Sequence, residues 1–235
     1  PLADASVSGG SSSGGVAVNV LKATAVVGDG DVNGDGINDD PDIVGFTLSP
    51  SSTRAAIGND ASISATSITL DAKANTDAAA NVTAGSGAGI AAGNVTTINA
   101  NSGHDTVASI GDRSTVTATN GAVTLLANGT TTASPSSDTG GGALGINFNV
   151  ATLKTVVSSN TTAAIGGGGT LTAQSLRLDA QASHTATGVA TSGGGAGIAD
   201  IASLDSRAED HGSANVAIGK AGDATGATIT TSGAA

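Results

Sequence analysis

Arg54-Ala55-Ala56-Ile57-Gly58 returns as Val107-Ala108-Ser109-Ile110-Gly111, as Thr162-Ala163-Ala164-Ile165-Gly166 and as Asn215-Val216-Ala217-Ile218-Gly219. The isoleucines stand 53, 55 and 53 residues apart (110 − 57, 165 − 110, 218 − 165). Chance richness in Ala, Ile and Gly does not hold such a register, so the chain is read as about four copies of one repeat of roughly fifty-four residues.

Further elements keep phase with this anchor. Ser62-Ile63-Ser64-Ala65, Thr115-Val116-Thr117-Ala118 and Thr170-Leu171-Thr172-Ala173 follow it, with Ala227-Thr228-Ile229-Thr230 in the last copy. Then come Ile68-Thr69-Leu70-Asp71-Ala72, Val123-Thr124-Leu125-Leu126-Ala127 and Leu176-Arg177-Leu178-Asp179-Ala180. The copies of Ser62-Ile63-Ser64-Ala65 alternate apolar and polar residues with the period of a strand. A glycine cluster then follows as Gly87-Ala88-Gly89-Ile90, Gly142-Ala143-Leu144-Gly145-Ile146 and Gly195-Ala196-Gly197-Ile198, and Gly14-Gly15-Val16 fits the same slot. No segment repeats apolar residues at helical spacing over three turns.

Composition selects among repeat architectures. The 235 residues include 36 Gly and 2 Phe, with no Trp, Tyr, Met or Cys. A fifty-residue unit with so few large side chains and no disulfide cannot supply its own core, and propeller blades would bring aromatic signatures. Stacked coils solve this, because each buries its face on the next. The expected fold is all-β, a parallel β-helix with one loop insertion, each repeat supplying two or three coils. Its expected divisions are a partial repeat over 1–52 carrying an insertion at 27–49, repeats over 53–105, 106–160 and 161–213, and a partial repeat over 214–235. In the stretch from Ile68 to Ala74, Ile68, Leu70, Ala72 and Ala74 are assigned to the core and Thr69, Asp71 and Lys73 to solvent. Glycine corners are expected to supply positive φ angles, and Asn residues near turns to stack as amide ladders.

A net charge of −11 opposes binding of nucleic acid and suits divalent cations. No apolar run is long enough to insert in a bilayer. Aligning Gly15 on Gly89 offsets the start by 74, and aligning Ala227 on Ala61 offsets the end by 166. The two ends then fall a few residues apart in the repeat, which predicts further copies of itself or adjacent repeats end to end. Pro1-Leu2-Ala3-Asp4 is expected to be a cut within a longer or processed chain.

One segment breaks the pattern. Between the Val16–Asn19 strand and Ile57 the chain runs about twenty residues longer than in later copies. It contains Asp31, Asn33 and Asp35 at alternate positions, Gly36 at position six, the Ile37 carbonyl at seven, Asp39 at nine and Asp42 at twelve. Alternate oxygen donors in a tight loop converge on one point, as a calcium ion with six or more ligands requires. The loop resembles those of dockerins and thrombospondin type 3 repeats. Pro41 precedes Asp42, and Asp40 is the alternative last ligand. The insertion returns through Ile43-Val44-Gly45-Phe46, expected to pack locally.

His104-Asp105 and Asp210-His211 lie in non-equivalent contexts and are read as surface residues; no nucleophile elbow or zinc-protease helix accompanies them. Acidic clusters with aromatic or basic sugar contacts, as in pectin-degrading β-helices, are missing, so no enzyme activity is expected.

The units Ala56-Ile57-Gly58, Ser62-Ile63-Ser64-Ala65, Leu70-Asp71-Ala72 and Gly87-Ala88-Gly89-Ile90 resemble repeats of large bacterial exoproteins, the filamentous-haemagglutinin-like and autotransporter adhesins of type V secretion. The resemblance covers nearly the whole chain outside the insertion. It implies a right-handed parallel β-helix, export to the cell surface or extracellular space, and a role in attachment to a host or neighbouring cell surface or glycan. The expected function is a calcium-stabilised stalk or filament segment of an adhesin, with a self-assembling fibre subunit as the alternative and a carbohydrate-active enzyme behind both.

Overall fold

A computed structural model of the chain describes residues 2–27, 52–219 and 226–233. The described residues form strands joined by short turns, with no helix. They make a parallel β-helix of four coils.

The first coil holds β1 (Leu2–Ser13), β2 (Val16–Val27), β3 (Ser52–Ile57) and β4 (Ser62–Ala65). The second holds β5 (Ile68–Ala88), β6 (Ala91–Gly103), β7 (Asp105–Ile110) and β8 (Thr115–Ala118). The third holds β9 (Ala122–Ala143), β10 (Ile146–Ser158), β11 (Asn160–Ile165) and β12 (Thr170–Ala173). In the fourth, β13 (Ser175–Ala186) and β14 (Val189–Ala196) share the place of one long strand, followed by β15 (Ala199–Asp210), β16 (Ser213–Ile218) and β17 (Thr228–Thr231). Stacking gives four parallel sheets: A is β1-β5-β9-β13 with β14 also on β9, B is β2-β6-β10-β15, C is β3-β7-β11-β16 and D is β4-β8-β12-β17.

One repeat is therefore one wide coil, not two or three. The expectation of several coils rested on reading each Gly, Ser and Asn cluster as a turn. In β5 and β9 such clusters run through strands of 21 and 22 residues. Every residue from Ile68 to Ala88 has a ladder partner in β9, so hydrogen bonds to the next coil hold extended a sequence of poor strand propensity.

The register is unbroken within sheets, and length differences fall in the turns. β3 pairs with β7 at an offset of 53 while β2 pairs with β6 at 75, so 75 − 53 = 22 residues are inserted between Val27 and Ser52. Val27 pairs with Ser102 and Ser52 with Asp105. The insertion thus leaves and returns where the second coil needs only Gly103 and His104. The sequence alignment of Gly15 on Gly89 is off by one: Val16 pairs with Ala91, at an offset of 75. At the other end Thr228, Thr170, Thr115 and Ser62 stack in one column, which preserves the offset of 166.

Two apolar compartments fill the interior. One lies among sheets C, D and the first half of A, with Ile110, Val116, Leu125 and Leu171. The other lies between B and the second half of A, with Val82, Ile98, Leu153 and Val157. Alternation holds as expected: Ile68 and Ala72 are buried, Leu70 and Ala74 half-buried, and Thr69, Asp71 and Lys73 exposed.

The corners correct a second expectation. Among the described glycines only Gly168 and Gly219 have positive φ. At the corner between A and B, glycine serves close approach: a Cβ on Gly89 would strike the Gly14 carbonyl, and one on Gly145 the Ile90 carbonyl. Coils spaced by about 4.8 Å leave no room for a methyl group directed along the axis.

Candidate functional site

The proposed calcium ligands Asp31, Asn33, Asp35, Ile37, Asp39 and Asp42, with Asp40 and the return segment to Phe46, lie outside the described residues. Among the described residues no group of three or more His, Asp or Glu side chains is placed to hold a metal ion. The described residues on either side of the insertion, Val27 and Ser52, stand at the corner between B and C.

Beside that corner a polar seam divides the two apolar compartments. Thr76, Thr131 and His184 stack on one side of the interior. Facing them, Ser102 donates to Thr76 Oγ1 at 3.1 Å, and Thr131 donates to Ser159 Oγ at 3.0 Å. Burial of these four hydroxyls between apolar blocks is tolerable because each pair is satisfied across the gap.

The histidines belong to this seam, which overturns their reading as surface residues for two of the three. His104 is 5% exposed, and its Nε2 lies 2.8 Å from Thr53 Oγ1. Burial holds its pKa below the usual imidazole value. The His184 side chain is 10% exposed and fills the space above Gly212. His211 alone is exposed, 3.3 Å from Glu209.

His184 also sits in a Ser-His-Asp chain that the sequence did not announce. Its Nε2 is 2.8 Å from Ser159 Oγ, and its Nδ1 is 3.0 Å from Asp210 Oδ1. Asp210 beside Nδ1 favours a proton there, so Nε2 accepts the Ser159 hydroxyl. Asp210 is fixed in turn by the Gly212 N–H at 2.9 Å. These are the contacts of a hydrolase triad, which is identified by geometry rather than sequence order. The surroundings differ: Ser159 is 1% exposed and its oxygen already accepts from Thr131, so no acyl group can approach it. The trio tethers the fourth coil to the third. Asp210 and His211 adjoin in sequence, yet the partner of Asp210 is 26 residues away across the interior.

A second polar element is an amide ladder. Asn19 Nδ2 donates to Asn94 Oδ1 at 3.0 Å, and Asn94 Nδ2 donates to Asn149 Oδ1 at 2.8 Å. Asn19 also donates to the Gly85 carbonyl and Asn94 to that of Gly140. The ladder clamps B to the end of A just after the corner, as expected for Asn near turns. On the outer face of A, a shallow groove of about 200 Å³ runs past Lys73, Asn128 and Arg177. Its charges are matched locally, Lys73 to Asp71 at 3.2 Å and Arg177 to Asp179 at 2.7 Å.

Comparison with family models, curated proteins and solved structures gives no match.

Proposed function

We propose that the chain is a structural segment of a secreted bacterial adhesin, a stalk whose length is its function, stiffened by calcium in the inserted loop. The observation supporting this reading is that each repeat adds one coil of the same cross-section in unbroken register, about 4.8 Å along the axis. Such an architecture converts duplicated sequence directly into reach. The buried Ser159 is in keeping with a structural role for the trio around it. The anionic surface suits an extracellular setting rich in divalent cations.

Beads coated with the chain test the passive role. They should attach to mammalian cells and to immobilised glycans no better than uncoated beads, and saturable attachment would contradict a stalk. Calorimetry tests the metal: Asp31→Ala and Asp35→Ala should each weaken calcium binding at least tenfold, and undiminished binding in both would remove calcium from the proposal.

A further inference from the structure

The outward face of sheet B is apolar at the start of every strand. Its first row across the four coils is Val16, Ala91, Ile146 and Ala199. The second is Val18, Gly93, Phe148 and Ile201, and the third Val20, Val95, Val150 and Ser203. Val16 is 61% exposed, Val20 75% and Ile201 56%. This is a continuous apolar surface, not a scatter of single residues. The Phe148 ring lies over Gly93, in the place a side chain there would need.

The fourth row carries Lys22, Thr97, Thr152 and Asp205. A cation on the outermost strand at one side is set against an anion on the outermost strand at the other. Three strand spacings, about 14 Å, separate them. Neither forms an ion pair among the described residues.

We propose that this face docks a second copy of the chain, sheet on sheet, about a two-fold axis running along the strands. Such an axis reverses the order of coils, so the first coil faces the partner's fourth and the second faces its third. In the first row large residues then oppose small ones: Val16 meets the partner's Ala199, and Ile146 the partner's Ala91; in the next two rows Val18 meets the partner's Ile201 and Val95 the partner's Val150, apolar on apolar. The two Phe148 rings, each over its own Gly93, meet at the axis, where offset stacking of aromatic faces is favourable. Lys22 meets the partner's Asp205, and symmetry makes this contact twice. In the next row Lys154 faces the partner's Asn99 and Arg207 the partner's Thr24, so no like charges oppose. Five rows by four strands cover about 33 by 19 Å, on the order of 600 Å² per copy. That is under the roughly 800 Å² of a standard interface, so a weak, concentration-dependent dimer is expected. The pairing does not depend on the stalk role.

The chain has no cysteine, so introduced thiols are the only ones present. Facing sheets lie about 10 Å apart, beyond the reach of a disulfide, so a bis-maleimide spanning about 8 Å should join the Lys22→Cys, Asp205→Cys double variant into a closed covalent dimer on denaturing electrophoresis, and each single variant should stay monomeric. Single-chain species alone would overturn the proposal. So would a ladder of polymers, because end-to-end stacking also brings position 205 beside position 22. Sedimentation of the unaltered chain over a concentration series supplies an independent readout. Monomer–dimer exchange is expected, weakened at least tenfold by Val18→Asp and by Lys22→Asp, with Lys22→Asp, Asp205→Lys together restoring it. A chain monomeric at every concentration, or one that instead binds vesicles of anionic lipid through this face, would refute a second copy as the occupant.

Discussion

Arg113 stands on Asp60 one coil apart, and its guanidinium donates from Nε and Nη2 to the two carboxylate oxygens at 2.7 Å each. Both residues have φ of 56°, in the left-handed region, and the next position in the same column is Gly168 at 69°. Three coils thus take the same turn with three different residues. Where glycine is absent, a fork of charge-assisted hydrogen bonds joins the two strained residues.

The Arg113 hydrogen bonds hold the Asp60 carboxyl below its usual pKa of 3.8. A carboxyl lowered on folding contributes stability that is present above the unfolded value and lost as pH falls through the folded one. Arg113→Gln should return the Asp60 titration, followed by carbonyl-carbon NMR, upward toward 3.8. Because the pair is fully exposed, the midpoint of urea unfolding at neutral pH should barely move.

The same corner gives a graded glycine test. A Cβ on Gly111 would lie 2.6 Å from the Asn59 nitrogen and from the Gly58 carbonyl carbon, and one on Gly166 2.6 Å from the Asp112 nitrogen. A Cβ on Gly58 meets nothing within 4 Å. Gly111→Ala and Gly166→Ala should each cost on the order of 1–3 kcal/mol in urea unfolding, and Gly58→Ala close to nothing. Equal effects at the three positions would contradict the stacking order.

Asn94 is fully buried and occupies the centre of the amide ladder. Asn94→Ala leaves Asn149 Oδ1 and the Gly140 carbonyl without its N–H groups, and Asn19 with the Gly85 carbonyl as its remaining acceptor. The expected loss is about 2–3 kcal/mol in urea unfolding. Asn19→Ala, at the open side of the ladder, should cost less than half of that.

His104 makes stability depend on pH near neutrality. Burial lowers its pKa from 6.5, so the unfolded chain takes up a proton at a pH where the folded chain does not. Its contribution is complete above about pH 6.5 and is lost as pH falls from there to the lower folded value. Unfolding midpoints measured between pH 8 and pH 5 should therefore fall, and His104→Asn should flatten that part of the curve. An unchanged slope would mean that another group carries it.

The period and the faces of the short strands were legible in the sequence. A parallel solenoid pairs each residue with the one a full coil later, so the spacing of Ile57, Ile110, Ile165 and Ile218 is itself the ladder register. Alternation at Ile68–Ala74 reports burial directly, because a strand sends successive side chains to opposite sides. The calcium ligand pattern at Asp31–Asp42 remains a reading of spacing alone.

Tertiary structure decided what depends on residues far apart. The number of coils per repeat follows from where the chain bends, and in Ala78–Ala88 neighbouring coils keep it straight. The one-residue slip at Gly15 came from matching glycines by identity, whereas close approach fixes which of them turns the corner. The neighbours of His184 along the chain say nothing of its surroundings, which are Ser159 and Asp210 across the interior. Val18, Gly93, Phe148 and Ile201 show no pattern along the sequence. They become one row only because four strands, 53 to 75 residues apart, stack at a single register.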